Sequence, residues 1–285
     1  MSRRSGDSIK PLRRAASSNQ VRHYRIRVPN IWKIIAGRTE SAHRRGGIRG
    51  FQQVTTELSF FLPLYNEEAN VRAVAGQAVA ALERSGLNWE LILVDDGSTD
   101  ATAARAEELC RNPGVRLESH PSNRGYGAAL KTGFGAARGD LVGFCDGDGQ
   151  FDPADVGKLL ALIEGNDMVI GFRRQRAEGS SRALPSRVWA ALAGALLGFS
   201  PRDLDCGFKL FRAGFVRSLD LESEGGFISA EIMAKASKLG ARIAEVGLEH
   251  YPRRAGSQTG LNPLVVARAF WDLLRLYGRL RSWPR

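Results

Sequence analysis

Cysteine is scarce in this chain. Cys110, Cys145 and Cys206 are odd in number and at spacings that suit neither a disulfide framework nor a zinc ligand set. Such usage fits a reducing, cytoplasmic setting. Long apolar runs are missing too. The longest, Val188 to Phe199, covers twelve residues, short of the roughly 18–20 a membrane helix needs. No span is therefore expected, and no apolar stretch follows the early basic residues to make a signal peptide. Acids are nearly absent from residues 1–53, which hold 13 of the 41 Lys and Arg but only Asp7 and Glu40 of the 30 Asp and Glu. The rest carries 28 of each sign, so the whole net charge of +11 belongs to the N-terminal fifth.

Residues 1–55 are accordingly read as a basic, disordered tail, rich in Ser, Gly and Arg and poor in apolar periodicity. Attraction to anionic lipid headgroups is its functional reading, at about 1 kcal/mol per basic residue near the surface. Nucleic acid is not an expected partner, because no aromatic interleaving or recognisable module accompanies the charge. At the other end, residues 261–285 read as a C-terminal amphipathic helix. Arg268, Asp272, Arg275 and Arg279 recur at helical spacing, with Leu264, Phe270, Leu273, Leu274 and Tyr277 mainly elsewhere around it. Such a helix packs on its own domain or lies in a bilayer interface, where Arg, Trp271 and Trp283 are common residue types.

Between these ends the pattern is regular. Apolar strands are predicted over 58–64, 89–94, 115–119, 140–145 and 167–172. Helices are predicted over 67–84, from the turn at Gly97 through Leu109, and over 126–138, 153–164 and 228–239. The 126–138 helix is rich in Ala and Gly, which would let it approach a sheet closely. Alternation of this kind implies an α/β domain over residues 56–260, with a mostly parallel, doubly wound sheet. Ligands of such sheets bind at the carboxyl ends of the strands. Tyr65-Asn66-Glu67, Asp95-Asp96 and Asp146/Asp148 all fall there.

The run Phe144-Cys145-Asp146-Gly147-Asp148-Gly149-Gln150 is the sharpest signal. Residues i and i+2 of an extended segment face one way, so Asp146 and Asp148 can meet one cation, with Gln150 as a third oxygen. Mg²⁺ and Mn²⁺ are usually held by one or two carboxylates plus substrate phosphates. The competing reading is a solvated acidic turn. A calcium loop is excluded, since the twelfth position from Asp146 is Gly157 where Glu is needed. The segment Gly125-Tyr126-Gly127-Ala128-Ala129-Leu130 imitates a dinucleotide fingerprint, but Leu130 stands where Gly or Ala is required.

Five ordered motifs between about Leu58 and Asn262 resemble family 2 glycosyltransferases of the GT-A fold, especially polyprenyl-phosphate (dolichol-phosphate) sugar transferases. They are Leu62-Pro63-Leu64-Tyr65-Asn66-Glu67, Val94-Asp95-Asp96-Gly97-Ser98, Asn123-Arg124-Gly125-Tyr126-Gly127-Ala128, the acidic run, and Asp205-Cys206-Gly207-Phe208-Lys209 followed by Tyr251-Pro252-Arg253-Arg254. The resemblance implies a metal-dependent, inverting transfer of a hexosyl group from a nucleotide-diphosphate sugar (GDP-mannose or UDP-hexose) to a polyprenyl phosphate. It implies Asp146, Asp148 and Gln150 as ligands of Mg²⁺ or Mn²⁺, with Asp146 and Gly147 also at the diphosphate. Pro63, Tyr65, Glu67 and Asp95 would hold the nucleoside, and Arg173, Arg182, Ser186 and Arg253 the acceptor phosphate. Such an enzyme works peripherally at the inner face of the cytoplasmic membrane.

A phosphate acceptor is already an anion and needs positive charge rather than a base, and guanidinium forks suit it. A hydroxyl acceptor must instead lose a proton, and Glu231 is then the candidate base. A third reading is a silent binding module that uses the basic tail on lipid or nucleic acid.

Overall fold

The computed structural model describes residues 21–25, 55–174 and 201–253, with the single positions 194, 275, 278 and 279. Eight strands form one mixed sheet: β1 (Val21–Arg25), β2 (Leu58–Leu64), β3 (Trp89–Asp95), β4 (Val115–Ser119), β5 (Leu141–Cys145), β6 (Met168–Arg173), β7 (Phe208–Arg212) and β8 (Arg242–Leu248). Their spatial order is β1-β8-β6-β7-β5-β2-β3-β4. The pairs β2–β3, β3–β4, β2–β5 and β6–β8 are parallel. Strand β7 lies antiparallel between β5 and β6.

Alternation along the strands sends side chains to two separate cores, as the doubly wound reading requires. Phe60, Leu62, Leu91 and Leu93 meet α1 (Val71–Arg84) on one face. Phe61, Ile92, Phe144 and Phe211 meet α3 (Tyr126–Ala136) and α6 (Ile228–Lys238) on the other. The remaining helices are α2 (Thr102–Leu109), α4 (Val156–Leu160) and α5 (Ala213–Ser218). Phe61, Phe134 and Phe144 form an aromatic cluster with centroids 5.1 to 6.0 Å apart. A Cβ on Gly133 would lie 2.4 Å from the Phe61 ring, which is why α3 needs small residues to reach the sheet.

One stretch corrects the sequence reading. Val21–Arg25, inside the segment taken as a disordered tail, is the antiparallel edge strand beside β8, in register Val21↔Val246 to Arg25↔Arg242. Pairing gives the backbone groups of β8 the partners that an open edge would lack, and Tyr24 packs against the core. Of the proposed C-terminal helix, positions 275, 278 and 279 are helical and exposed, and Arg279 pairs with Glu222. The rest of 261–285 lies outside the described residues. Among the described residues, no helix is long and apolar enough to cross a membrane.

Candidate active site

Strand β2 shares its rungs with β5 only from Leu58 to Phe61. Pro63 lies past the last of them, so its missing N–H breaks no ladder bond to β5. The ladder ends there, and the acidic run follows β5 alongside the last residues of β2. Gly147 packs directly on β2: a Cβ there would sit 2.4 Å from Leu64 Cδ2 and 2.9 Å from the Pro63 carbonyl oxygen.

The loops after β2 and β3 are stitched together at this edge. Asn66, at φ 55°, donates its N–H to Ser98 Oγ at 2.9 Å and accepts from the Thr99 N–H at 2.8 Å. Glu67 donates its N–H to Thr102 Oγ1 at 2.8 Å. Tyr65 is 42% exposed beside them, so its ring is available to a ligand. Asp95 is buried at the end of β3, its carboxylate near the Ser98 N–H at 3.3 Å.

Asp146 donates its N–H to the Gly207 carbonyl at 2.9 Å and accepts from the Tyr126 hydroxyl at 2.8 Å. Burial and the neighbouring charge of Asp148 raise its pKa well above the usual carboxylate range, opposed by Tyr126, Lys209 and Arg173. Asp148 Oδ1 accepts from the Gln150 N–H at 3.0 Å, and its Oδ2 lies 3.8 Å from Arg253 Nη1. The Gln150 amide donates to the Tyr251 carbonyl at 3.3 Å, while Tyr251 donates its N–H to the Gln150 carbonyl at 2.9 Å. This exchange brings the segment after β8 back over the acidic run and sets Arg253 between Asp148 and Glu67, with which it also pairs. Burial raises the Glu67 pKa, against hydrogen bonds from Asn70 and Arg253.

Among the described residues no three His, Cys, Asp or Glu side chains converge on a point where an ion would be caged. Asp148 is close enough for its charge to make Asp146 reluctant to ionise, and Gln150 follows in the same turn. A divalent cation whose shell is completed by diphosphate oxygens suits that donor set.

The structure therefore brings Pro63, Tyr65, Glu67, Asp95, Asp146, Gly147, Asp148, Gln150 and Arg253 to one edge of the sheet. Arg182 and Ser186 lie outside the described residues. Arg173 is near enough to lower the Asp146 pKa, while its fork grips Asp203 through Nε at 2.5 Å and Nη2 at 2.6 Å, which ties the start of the 201–207 segment to β6. Glu231, the candidate base for a hydroxyl acceptor, is buried. Its Oε1 accepts from the Glu222 N–H at 2.9 Å and lies 2.7 Å from Lys235 Nζ. Its Oε2 accepts from the Ser223 N–H at 2.8 Å. Burial alone would raise its pKa, but these donors outweigh it and hold the value below the usual range. That is a carboxylate organising a loop.

Several participants escaped the sequence reading as individual residues. Lys209 is buried beneath the run, donates to the Cys206 carbonyl and sits 5.6 Å from the Phe144 ring centre. Gly207 leaves room for Asp146, since a Cβ there would lie 1.7 Å from Asp146 Oδ2. Asp96 binds His120 Nδ1 at 2.6 Å, Asn123 Nδ2 at 2.9 Å, and the N–H groups of Arg124 and Gly125 at 3.0 and 2.8 Å. All three belong to quoted motifs, but nothing in a motif tells a ligand from its support.

Residues 59–219 match the family described as "Glycosyl transferase family 2". The dodecaprenyl-phosphate galacturonate synthase of Rhizobium johnstonii is 34% identical over 77% of this chain and 65% of its own length. The undecaprenyl-phosphate 4-deoxy-4-formamido-L-arabinose transferase of Edwardsiella ictaluri is 30% identical over 73% and 64%. The chain thus spans just under two thirds of these relatives. Among solved structures, the glucosyl-3-phosphoglycerate synthase of Mycobacterium tuberculosis, in complex with Mn²⁺, UDP and phosphoglyceric acid, superposes with a TM-score of 0.63. It is 26% identical, with 83% of this chain and 84% of that one covered. The fold is GT-A.

Proposed function

We propose, from the premise that this chain belongs to glycosyl transferase family 2, that it moves a glycosyl group with inversion from a nucleotide-diphosphate sugar to a polyprenyl phosphate. The observation that carries the reading is the acidic run with Arg253 drawn over it, at the edge where the β2–β5 ladder ends. Asp146, Asp148 and Gln150 would hold Mg²⁺ or Mn²⁺ together with the donor diphosphate. Bound there, the metal supplies Lewis-acid stabilisation of the leaving nucleoside diphosphate, worth several kcal/mol.

The chain's own groups do the rest. Tyr65 and Asp95 border the place for the nucleoside. Arg253 reaches the diphosphate region from the opposite side, as the cation that steadies an incoming phosphate. Arg182 and Ser186 are proposed to complete that acceptor site. With an anionic acceptor no general base is required, which agrees with a Glu231 already committed to Lys235 and two backbone donors. Arg173, gripped by Asp203, supports the site wall in this reading.

A lipid acceptor implies work at the inner face of the cytoplasmic membrane. The basic N-terminal segment and the apolar positions of 261–285 support peripheral attachment there.

The test is a mass-spectrometric transfer assay on purified protein with a short polyprenyl phosphate, Mg²⁺ or Mn²⁺, and a panel of GDP- and UDP-sugars. The panel includes hexoses, a uronic acid and an amino-pentose derivative, because the two relatives are named for sugars of the last two kinds. A lipid product one sugar heavier, lost in Arg253→Ala, is the expected result. Donor hydrolysis without any modified lipid would keep the donor half and overturn the acceptor half.

A further inference from the structure

We propose that Tyr126 is a positioning residue for the acidic run. Its hydroxyl fixes the Asp146 carboxylate in the orientation in which a divalent cation meets it, and Asp96 in turn fixes Tyr126. The inference rests on the metal-binding reading above.

Tyr126 opens α3, and the backbone there is pinned from two sides. Gly125 adopts φ 105°, a conformation open in practice to glycine, and donates its N–H to Asp96 Oδ2 at 2.8 Å. Arg124 donates its N–H to Asp96 Oδ1 at 3.0 Å. On the other side the Ala128 N–H reaches the Glu224 carbonyl at 3.1 Å, and a Cβ on Gly127 would lie 2.5 Å from the Ser223 carbonyl oxygen. The first turn of the helix has no room to shift, so the phenol arrives at Asp146 Oδ1 already placed, at 2.8 Å.

Asp146 is confined from its other flank as well. Its N–H is held by Gly207, and its Oδ2 lies over the Cα of that glycine. A carboxylate confined in this way loses little freedom when a cation arrives. Asp148 differs: one backbone N–H holds Oδ1, and Oδ2 faces Arg253. Asp146 is the preset ligand and Asp148 the adaptable one. Hydrogen-bond partners of metal ligands typically contribute about 10–100-fold in metal affinity, and Tyr126 is such a partner.

The test titrates Mn²⁺ calorimetrically into the full chain in the presence of UDP or GDP. It compares the unaltered protein, Tyr126→Phe, Asp146→Asn and the double variant. Tyr126→Phe removes one oxygen atom and should weaken Mn²⁺ binding about 10-fold or more, with its melting temperature nearly kept. In the Asp146→Asn background the same change should cost nothing further, because Tyr126 acts through Asp146. Unchanged affinity in Tyr126→Phe would overturn the proposal, and so would an equal loss in both backgrounds, which general loosening of the fold produces. An unaltered chain that binds no Mn²⁺ would instead overturn the metal reading, and this proposal with it. A readout independent of any substitution is 3-fluorotyrosine placed at position 126. Its ¹⁹F resonance should move on addition of Mg²⁺ and nucleoside diphosphate, and a stationary resonance counts against the assignment.

Discussion

A pair of aspartates stands at or just past the end of each of strands β3 and β5, and Asp96 of the first contrasts with Asp146 and Asp148 of the second. Asp95 and Asp96 are adjacent at the end of β3, while Asp146 and Asp148 are two apart in the turn that follows the last residue of β5, Cys145. Asp96 collects four donors, two of them backbone N–H groups. Among the described residues, Asp146 accepts from one hydroxyl and Asp148 from one backbone N–H, with Arg253 3.8 Å from its Oδ2. A carboxylate saturated by the protein is architecture. One with fewer donors keeps oxygen lone pairs for a ligand.

Substitutions can break or sharpen that contrast. The largest effect is expected at Asp148→Asn, which removes half of the charge facing the ligand. Transfer activity should fall about 1000-fold, as loss of several kcal/mol of transition-state stabilisation requires, with the melting temperature little changed. An active Asp148→Asn enzyme would remove the distinction between the pairs. Asp96→Asn should do the reverse in kind: with its donors left facing a neutral amide, unfolding in urea should show a loss of about 2–4 kcal/mol. Loss of activity at full stability would make Asp96 a ligand.

Gly207→Ala comes next. Its new methyl must displace the Asp146 carboxylate, because a Cβ would lie 1.7 Å from Oδ2. Overpacking of this sort costs about 1–3 kcal/mol, and Mn²⁺ affinity in the presence of nucleoside diphosphate should weaken with it. The smallest effect on activity is expected at Glu231→Gln, within about twofold by the difference of kcat/KM. Its signature lies in stability against pH. The folded pKa of Glu231 is depressed below the unfolded value, which is about 4.3. Its contribution is therefore fully present above the unfolded pKa and is lost as pH falls through the depressed folded value. Denaturation curves of the two proteins should differ at pH 6 and converge in strong acid. A Glu231→Gln enzyme of normal stability and little activity would restore the hydroxyl-acceptor reading.

Legibility in the sequence followed how local each decision was. Leu58–Leu64 and Val115–Ser119 have the predicted bounds, since a short apolar strand closed by turn residues declares itself. The helix predicted from Glu67 begins at Val71, and the one predicted from the turn at Gly97 begins at Thr102. In both cases leading N–H groups are taken by side chains of the other loop: Glu67 and Glu68 donate to Thr102 and Asp100, and Thr99 and Ala101 donate to Asn66 at 2.8 Å and Glu68 at 3.3 Å. Those bonds join residues more than thirty positions apart, beyond the reach of any periodicity.

Strand β1 was hidden for a related reason. Five residues in a basic stretch carry no pattern that distinguishes them, and the open edge of β8 decides that they become a strand. Arg173 and Glu231 show the same limit at the site. Their residue types suit an acceptor-phosphate ligand and a base, and only the folded chain puts Asp203 and Lys235 against them.

The order of apolar strands and helices, the two-residue spacing of Asp146 and Asp148 and the residue chemistry of the acidic run are local properties. They were enough to specify an α/β sheet with an acidic run at its carboxyl edge. Which acids remain short of donors, which arginine is committed to a carboxylate and which tyrosine steadies Asp146 depend on partners distant in the chain. Those choices belong to the tertiary structure, because a charged group's role is set by the donors and acceptors that folding places around it.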